Sequence, residues 1–174
     1  MKPFELIPFT PDSAPQVRVT GNIERRHNQL NITYNFTDSR AIVIPRPATP
    51  SRLFDLWEHT CCEFFLGVAN STQYWEFNLS PAGHWNVFRF PDYRQNISEE
   101  MVFEHLPFQV GTWETGLQLN LKLDLGKIIA PEQSLALGIT AVIEDQAGQL
   151  SYWALSHPGK EADFHLRDSF IIEL

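Results

Sequence analysis

At 174 residues, 43% hydrophobic and 20% charged, the chain can bury a core without disulfide staples and is far from a disordered composition. Its formal net charge of −8 argues against sequence-independent binding to nucleic acid or to an anionic membrane, both of which need a basic surface. A neutral ligand, or a cation such as calcium, suits that charge better.

The residues from Met1 to Asp12 lack the continuous apolar stretch of a signal peptide, and no later stretch reaches transmembrane length. A cytoplasmic location is therefore expected, and the sequons at Asn31, Asn35, Asn70 and Asn96 read as chance. Short apolar or alternating runs predict strands at 4–9, 16–25, 30–35 and 41–44. The three prolines of 45–51 suggest an extended crossing between sheets. Further strands are predicted at 60–68, 73–80, 84–90, 101–110, 116–124, 135–144, 150–155 and 170–173. The 13 Phe, 5 Trp and 4 Tyr agree with this, since aromatic and β-branched side chains favour strands. Hairpin residues occur at Thr20-Gly21-Asn22, Ser80-Pro81-Ala82-Gly83 and Gln146-Ala147-Gly148. No segment sustains a helical period; the best candidate, 127–132, is short and broken by Pro131. The expected fold is an all-β, two-sheet antiparallel β-sandwich of jelly-roll type, formed as one domain over 1–174.

The central third carries the most information. A period of two places Cys62, Phe64, Leu66 and Val68 on one strand face, and Cys61, Glu63 and Phe65 on the other. The same period gives Trp75, Phe77 and Leu79 an apolar face and leaves Tyr74, Glu76 and Asn78 opposite. Carboxylates and amides interleaved with aromatics suit a sugar, whose hydroxyls need hydrogen-bond partners and whose C–H faces stack on rings. Taken singly, each tryptophan also reads as core packing, and Glu63 and Glu76 as a solvated or salt-bridged strand face, with Arg89 as a partner. The adjacent Cys61 and Cys62 read as buried free thiols, and no Cys/His spacing resembles a zinc site.

These segments, LWEHTCCEFFLG, YWEFNLSPAGHWNVFRF, YWALSHP and DFHLRDSFIIEL, resemble the DOMON-like domains related to family 9 carbohydrate-binding modules, from about Val17 to the end. The resemblance implies a non-catalytic domain binding a small carbohydrate or sugar-like ligand on one sheet face. Trp57 and a late tryptophan, Trp153, would clasp the sugar. Glu63 and Arg89 would bond its hydroxyls, with Tyr74, Glu76 and Asn78 on the same face. Those relatives are secreted modules attached to hydrolases; without a signal, a free intracellular sugar fits better than insoluble polysaccharide.

Three alternatives stand beside this reading. Haem, held by other DOMON relatives, is disfavoured because Met101 is the one internal methionine and no histidine pair is recognisable. Glycoside chemistry would need Glu63 and Glu76 to be cross-strand neighbours. A protein-interaction role would use Trp57 and Trp113 as anchors. The segment ending in His165, Arg167 and Asp168 either closes the sandwich through an Arg167–Asp168 pair or lines the rim of the ligand site with His165 and Arg167.

Overall fold

The computed structural model describes residues 1–174 as two antiparallel sheets. In chain order the strands are β1 (Lys2–Glu5), β2 (Ile7–Pro8), β3 (Arg18–Arg26), β4 (Gln29–Thr37), β5 (Cys61–Val68), β6 (Tyr74–Leu79) and β7 (Trp85–Phe90). They continue as β8 (Ser98–Glu99), β9 (Phe108–Trp113), β10 (Gly116–Asp124), β11 (Leu135–Glu144), β12 (Leu150–Ala154) and β13 (Ile172–Glu173). The first sheet runs β1-β3-β4-β10-β9; the second runs β2-β12-β11-β5-β6-β7-β8, with β13 also paired to β11. No helix is long and apolar enough to cross a membrane.

Alternation builds the core. Val19, Ile23, Ile32, Tyr34, Leu119 and Leu121 project from the first sheet onto Phe64, Leu66, Phe77, Val87 and Ile139 of the second, in one cluster of 31 buried residues. Phe64 and Phe77 stack with centroids 4.3 Å apart. The Tyr34 hydroxyl is satisfied by donating to the Glu63 carbonyl across the core at 2.6 Å.

The outer faces differ. That of the first sheet is polar, with Thr33, Asn35, Gln118 and Asn120 hydrogen-bonded to one another. That of the second is covered, so β6 is buried along its whole length and β5 along all but its last residue. The segment 155–171 lies over it, and a second cluster forms there from Phe65, Tyr74, Phe88, Phe90, Phe164 and Phe170, among others. Strands buried on both faces explain the nearly unbroken apolar runs of the central third.

Several expected elements change form. The run 4–9 divides at Leu6, so that β1 joins one sheet and β2 the other. The 41–44 segment offers only an isolated bridge from Ile42 to Asp145. Pairing near 101–110 begins at Phe108, after Phe103 and Leu106 have dropped into the core from irregular backbone. The end of the chain keeps only two residues of strand, following a 3₁₀ turn at Arg167–Ser169.

The turn expected at Gly21 is not one. Gly21 sits within β3, and the hairpin turns instead at His27, whose φ is 54°. Gly21 is needed because the Phe4 ring and the Thr33 carbonyl occupy the space a β-carbon would take. Gly21→Ala is expected to destabilise the protein by about 1–3 kcal/mol, read as a lower urea midpoint at unchanged m-value. The other two turns form, with Gly83 at φ 101° and Gly148 at φ 79°.

Candidate functional site

The covered face of the second sheet is not fully filled. It holds a half-open cavity of about 380 Å³, within the range of small-molecule sites. Its floor is Glu63 and Phe65 of β5, Glu76 of β6 and Val142 of β11. Phe90 and Tyr152 rise from β7 and β12, Trp57 from the turn before β5, Arg94 and Ile97 from the loop after β7, and Phe164 and His165 from the covering segment.

Local backbone chemistry sets these positions. Asp55 turns the chain in the left-handed region at φ 58°, starting the 3₁₀ turn Leu56–Glu58. Leu56 buries itself, and Trp57 lies edge-on to Phe88 at 5.9 Å. On β12, Ser151 and Trp153 face inward, so Tyr152 faces out, meeting Phe164 at 6.0 Å.

The seven residues singled out in sequence divide into three groups. Trp57, Glu63 and Glu76 line the cavity. Tyr74 and Asn78 do not line it but contact residues that do. Tyr74 stacks on Phe90 at 4.8 Å; its hydroxyl meets His165 Nδ1 at 2.8 Å and accepts the Arg94 amide at 3.2 Å. Asn78 donates to Glu76 Oε1 at 2.8 Å, and its own Oδ1 is buried without a partner.

Arg89 and Trp153 lie elsewhere. Arg89 pairs opposite Trp75, a core-facing residue, so it points away from Glu63 and bonds Gln73 at 2.7 Å. Trp153 is part of the inter-sheet core, its indole N–H donating to Ser151 at 2.9 Å. Period two explains both outcomes: Arg89 has the parity of Val87, and Trp153 the parity opposite to Tyr152.

Their places are taken by Arg94 and Tyr152. Tyr152 was legible from the same alternation. Arg94, Ile97, Phe164 and Ala162 come from loops, where no period operates. His165 lines the cavity, in line with the rim alternative. Arg167 instead spans Gly67, where a β-carbon would overlap its guanidinium, and packs over Phe170 at 4.9 Å.

Two carboxyls on a buried floor face an electrostatic problem. Burial pushes Glu63 well above the usual carboxylate range, the Glu76 charge pushes it further, and a hydrogen bond from Thr140 at 3.3 Å opposes both. Burial likewise pushes Glu76 up to about 7, against the Asn78 hydrogen bond and the Arg94 charge. Burial lowers His165 to about 4, with Arg94 adding to the effect. His165 Nε2 lies 3.7 Å from Glu76 Oε2. Arg94 is held by Asp163 at 2.8 Å, and the Tyr93 hydroxyl bonds the same carboxylate.

Glu63 stands opposite Asn78 and Glu76 opposite Phe65, so the two carboxyls are diagonal and not direct cross-strand neighbours. Both rise from the same sheet face, whereas glycoside hydrolysis needs carboxyls flanking the bond. No three His, Cys, Asp or Glu side chains come together as a metal site would require. Cys61 and Cys62 are both buried, free and inert, with burial raising both thiols.

No protein-family model matches the chain, and no curated protein matches it by sequence. Similar architecture is found in solved structures. A Bacteroides uniformis protein provisionally assigned to carbohydrate binding superposes with a TM-score of 0.78 at 12% identity, over 98% of this chain and 84% of that one. A family 9 carbohydrate-binding module from Caldicellulosiruptor kristjanssonii, solved with glucose, gives a TM-score of 0.56 at 10% identity, over 92% of this chain and 77% of that one. At such identities the likeness is one of fold: the chain is an antiparallel two-sheet β-sandwich of the architecture these two proteins share.

Proposed function

We propose that the chain is a non-catalytic domain that binds a small carbohydrate in the cavity over the second sheet. The observation that carries this reading is the pairing of two acidic side chains on the floor with aromatic walls. Glu63 and Glu76 can bond hydroxyls, while Trp57, Tyr152 and Phe164 offer faces to the C–H side of a sugar ring. The fold shared with a glucose-bound family 9 module supports it. A half-open cavity of about 380 Å³ suits one or two sugar rings better than a long polymer face, in keeping with a soluble sugar. Free buried thiols agree with a reducing compartment.

Stacking and a few charge-assisted hydrogen bonds support a dissociation constant on the order of 10 µM to 1 mM. Titration with gluco-, xylo- and galacto-series sugars is expected to quench tryptophan emission saturably. Trp57→Ala should weaken binding at least about tenfold, since it removes a wall without touching the inter-sheet core. A folded wild-type protein indifferent to every sugar would overturn the reading.

A further inference from the structure

We propose that the cavity selects an amine-bearing ligand, an amino sugar over its neutral parent, with Glu63 receiving the ammonium group. This rests on the carbohydrate reading of the same cavity and narrows it to a substrate class.

Glu63 is 2% exposed, and its carboxyl accepts one hydrogen bond, the long one from Thr140. No lysine, arginine or histidine of the chain lies within ion-pair distance of it, whereas Glu76 has the neutral His165 imidazole at 3.7 Å. A buried carboxylate without a cation is costly, so the acid keeps its proton until a cation arrives to take that proton's place. A neutral hydroxyl offers one hydrogen bond; an ammonium offers three donors and the opposite charge.

The surroundings favour the same chemistry. Trp57, Phe65, Phe90, Tyr152 and Phe164 line the cavity, and aromatic faces attract cations. The groups facing the carboxyl pair do not supply competing positive charge. His165 is kept neutral by burial, and Arg94 is already paired with Asp163. Tyr74 and the Cys61 thiol are held protonated by burial. The chain's net charge of −8 also draws cations towards it.

The proton balance gives a signature. An ammonium ligand binding to the protonated Glu63 carboxyl yields an ammonium–carboxylate pair, and one proton leaves to solvent. A neutral sugar leaves that proton in place.

The test is calorimetry of the full chain near pH 6 with glucosamine, galactosamine and mannosamine, with their parent hexoses, and with cyclohexylamine, in buffers of different ionisation enthalpy. At least one amino sugar should bind about tenfold or more tightly than its parent, with net proton release that the parent lacks. Glu63→Gln should bring that ratio close to one. Should this variant fail to fold, proton release by the wild type still decides. Hexoses binding as well as amino sugars, or amino sugars binding without proton release, would sink the amine inference and leave the carbohydrate reading standing. Cyclohexylamine binding while every sugar fails would overturn the carbohydrate reading and the amino-sugar assignment with it, leaving the cavity as a site for a non-sugar amine. Silence from all ligands would overturn both.

Discussion

Phe65→Ala is expected to cost about 3–5 kcal/mol, the range for losing a phenylalanine from a packed interior. Phe65 is 1% exposed, on the covered side of β5. Its ring lies 5.1 Å from His165, 5.7 Å from Phe170 and 6.4 Å from both Tyr74 and Phe164. Each aromatic pair contributes about 0.5–1.5 kcal/mol beyond the area it buries. Three of the four partners belong to the covering segment, so this ring fastens that segment to the sheet. Phe64, its neighbour, stacks on Phe77 in the inter-sheet core. The two alanine variants should therefore show similar losses in urea unfolding but different consequences for the cavity. Phe65→Ala should expose the 155–171 amides to hydrogen exchange and lose ligand binding at once. Phe64→Ala should leave the protection of 155–171 at a level set by global stability alone. Equal protection in the two variants at matched stability would show that the segment is held by something other than this cluster.

What could be read from the sequence follows from where a period exists. Alternation assigns Phe64, Leu66, Phe77 and Leu79 to the core and Glu63, Phe65, Tyr74, Glu76 and Asn78 to the opposite face, and the structure has them so. The same rule, continued through β7, puts Arg89 on the far side from Glu63. It was the resemblance, not the parity, that nominated Arg89, and the parity won. Trp153 fails for the same reason: its place in a late strand suggested a clasp, yet Tyr152 has the required direction. The enclosure of the face was not legible at all. Phe164, His165 and Phe170 come from a segment without regular secondary structure, polar enough in sequence to read as a surface loop, and tertiary contacts alone turn it into a cover. That cover converts an expected open binding face into a cavity, and it makes Glu63 and Glu76 buried acids instead of solvated ones.

His165→Asn is expected to steepen the fall of stability with pH between pH 4.5 and 6.5. Glu76 holds its proton up to about 7 in the folded protein against 4.5 for the free side chain. Across that window the native state binds a proton the unfolded chain has released, so stability is full below pH 4.5 and declines as pH rises. At about 1.4 kcal/mol per pH unit the decline is worth about 3 kcal/mol. His165 acts oppositely. It stays neutral down to about 4, against 6.5 unfolded, so the unfolded chain binds the extra proton and stability is lost as pH falls through that window. The two slopes overlap between pH 4.5 and 6.5 and offset each other, while Glu63, raised by burial, adds a second carboxyl decline that begins in the same window and leaves the wild type with a net fall. Removing the imidazole leaves both carboxyl slopes unopposed; Glu76→Gln should flatten the profile between pH 4.5 and 6.5, where the imidazole slope then offsets that of Glu63 alone. Arg94, Asp163 and Tyr74 face the pair in both variants and keep their protonation states through this range, so they shift the profiles without setting their sign. Urea midpoints at half-unit pH steps would resolve the two variants. If wild type, H165N and E76Q gave parallel profiles, neither group would be titrating within the fold. The compensation matters for the cavity itself, because a neutral histidine beside a carboxyl that can still ionise leaves the negative charge available to a ligand.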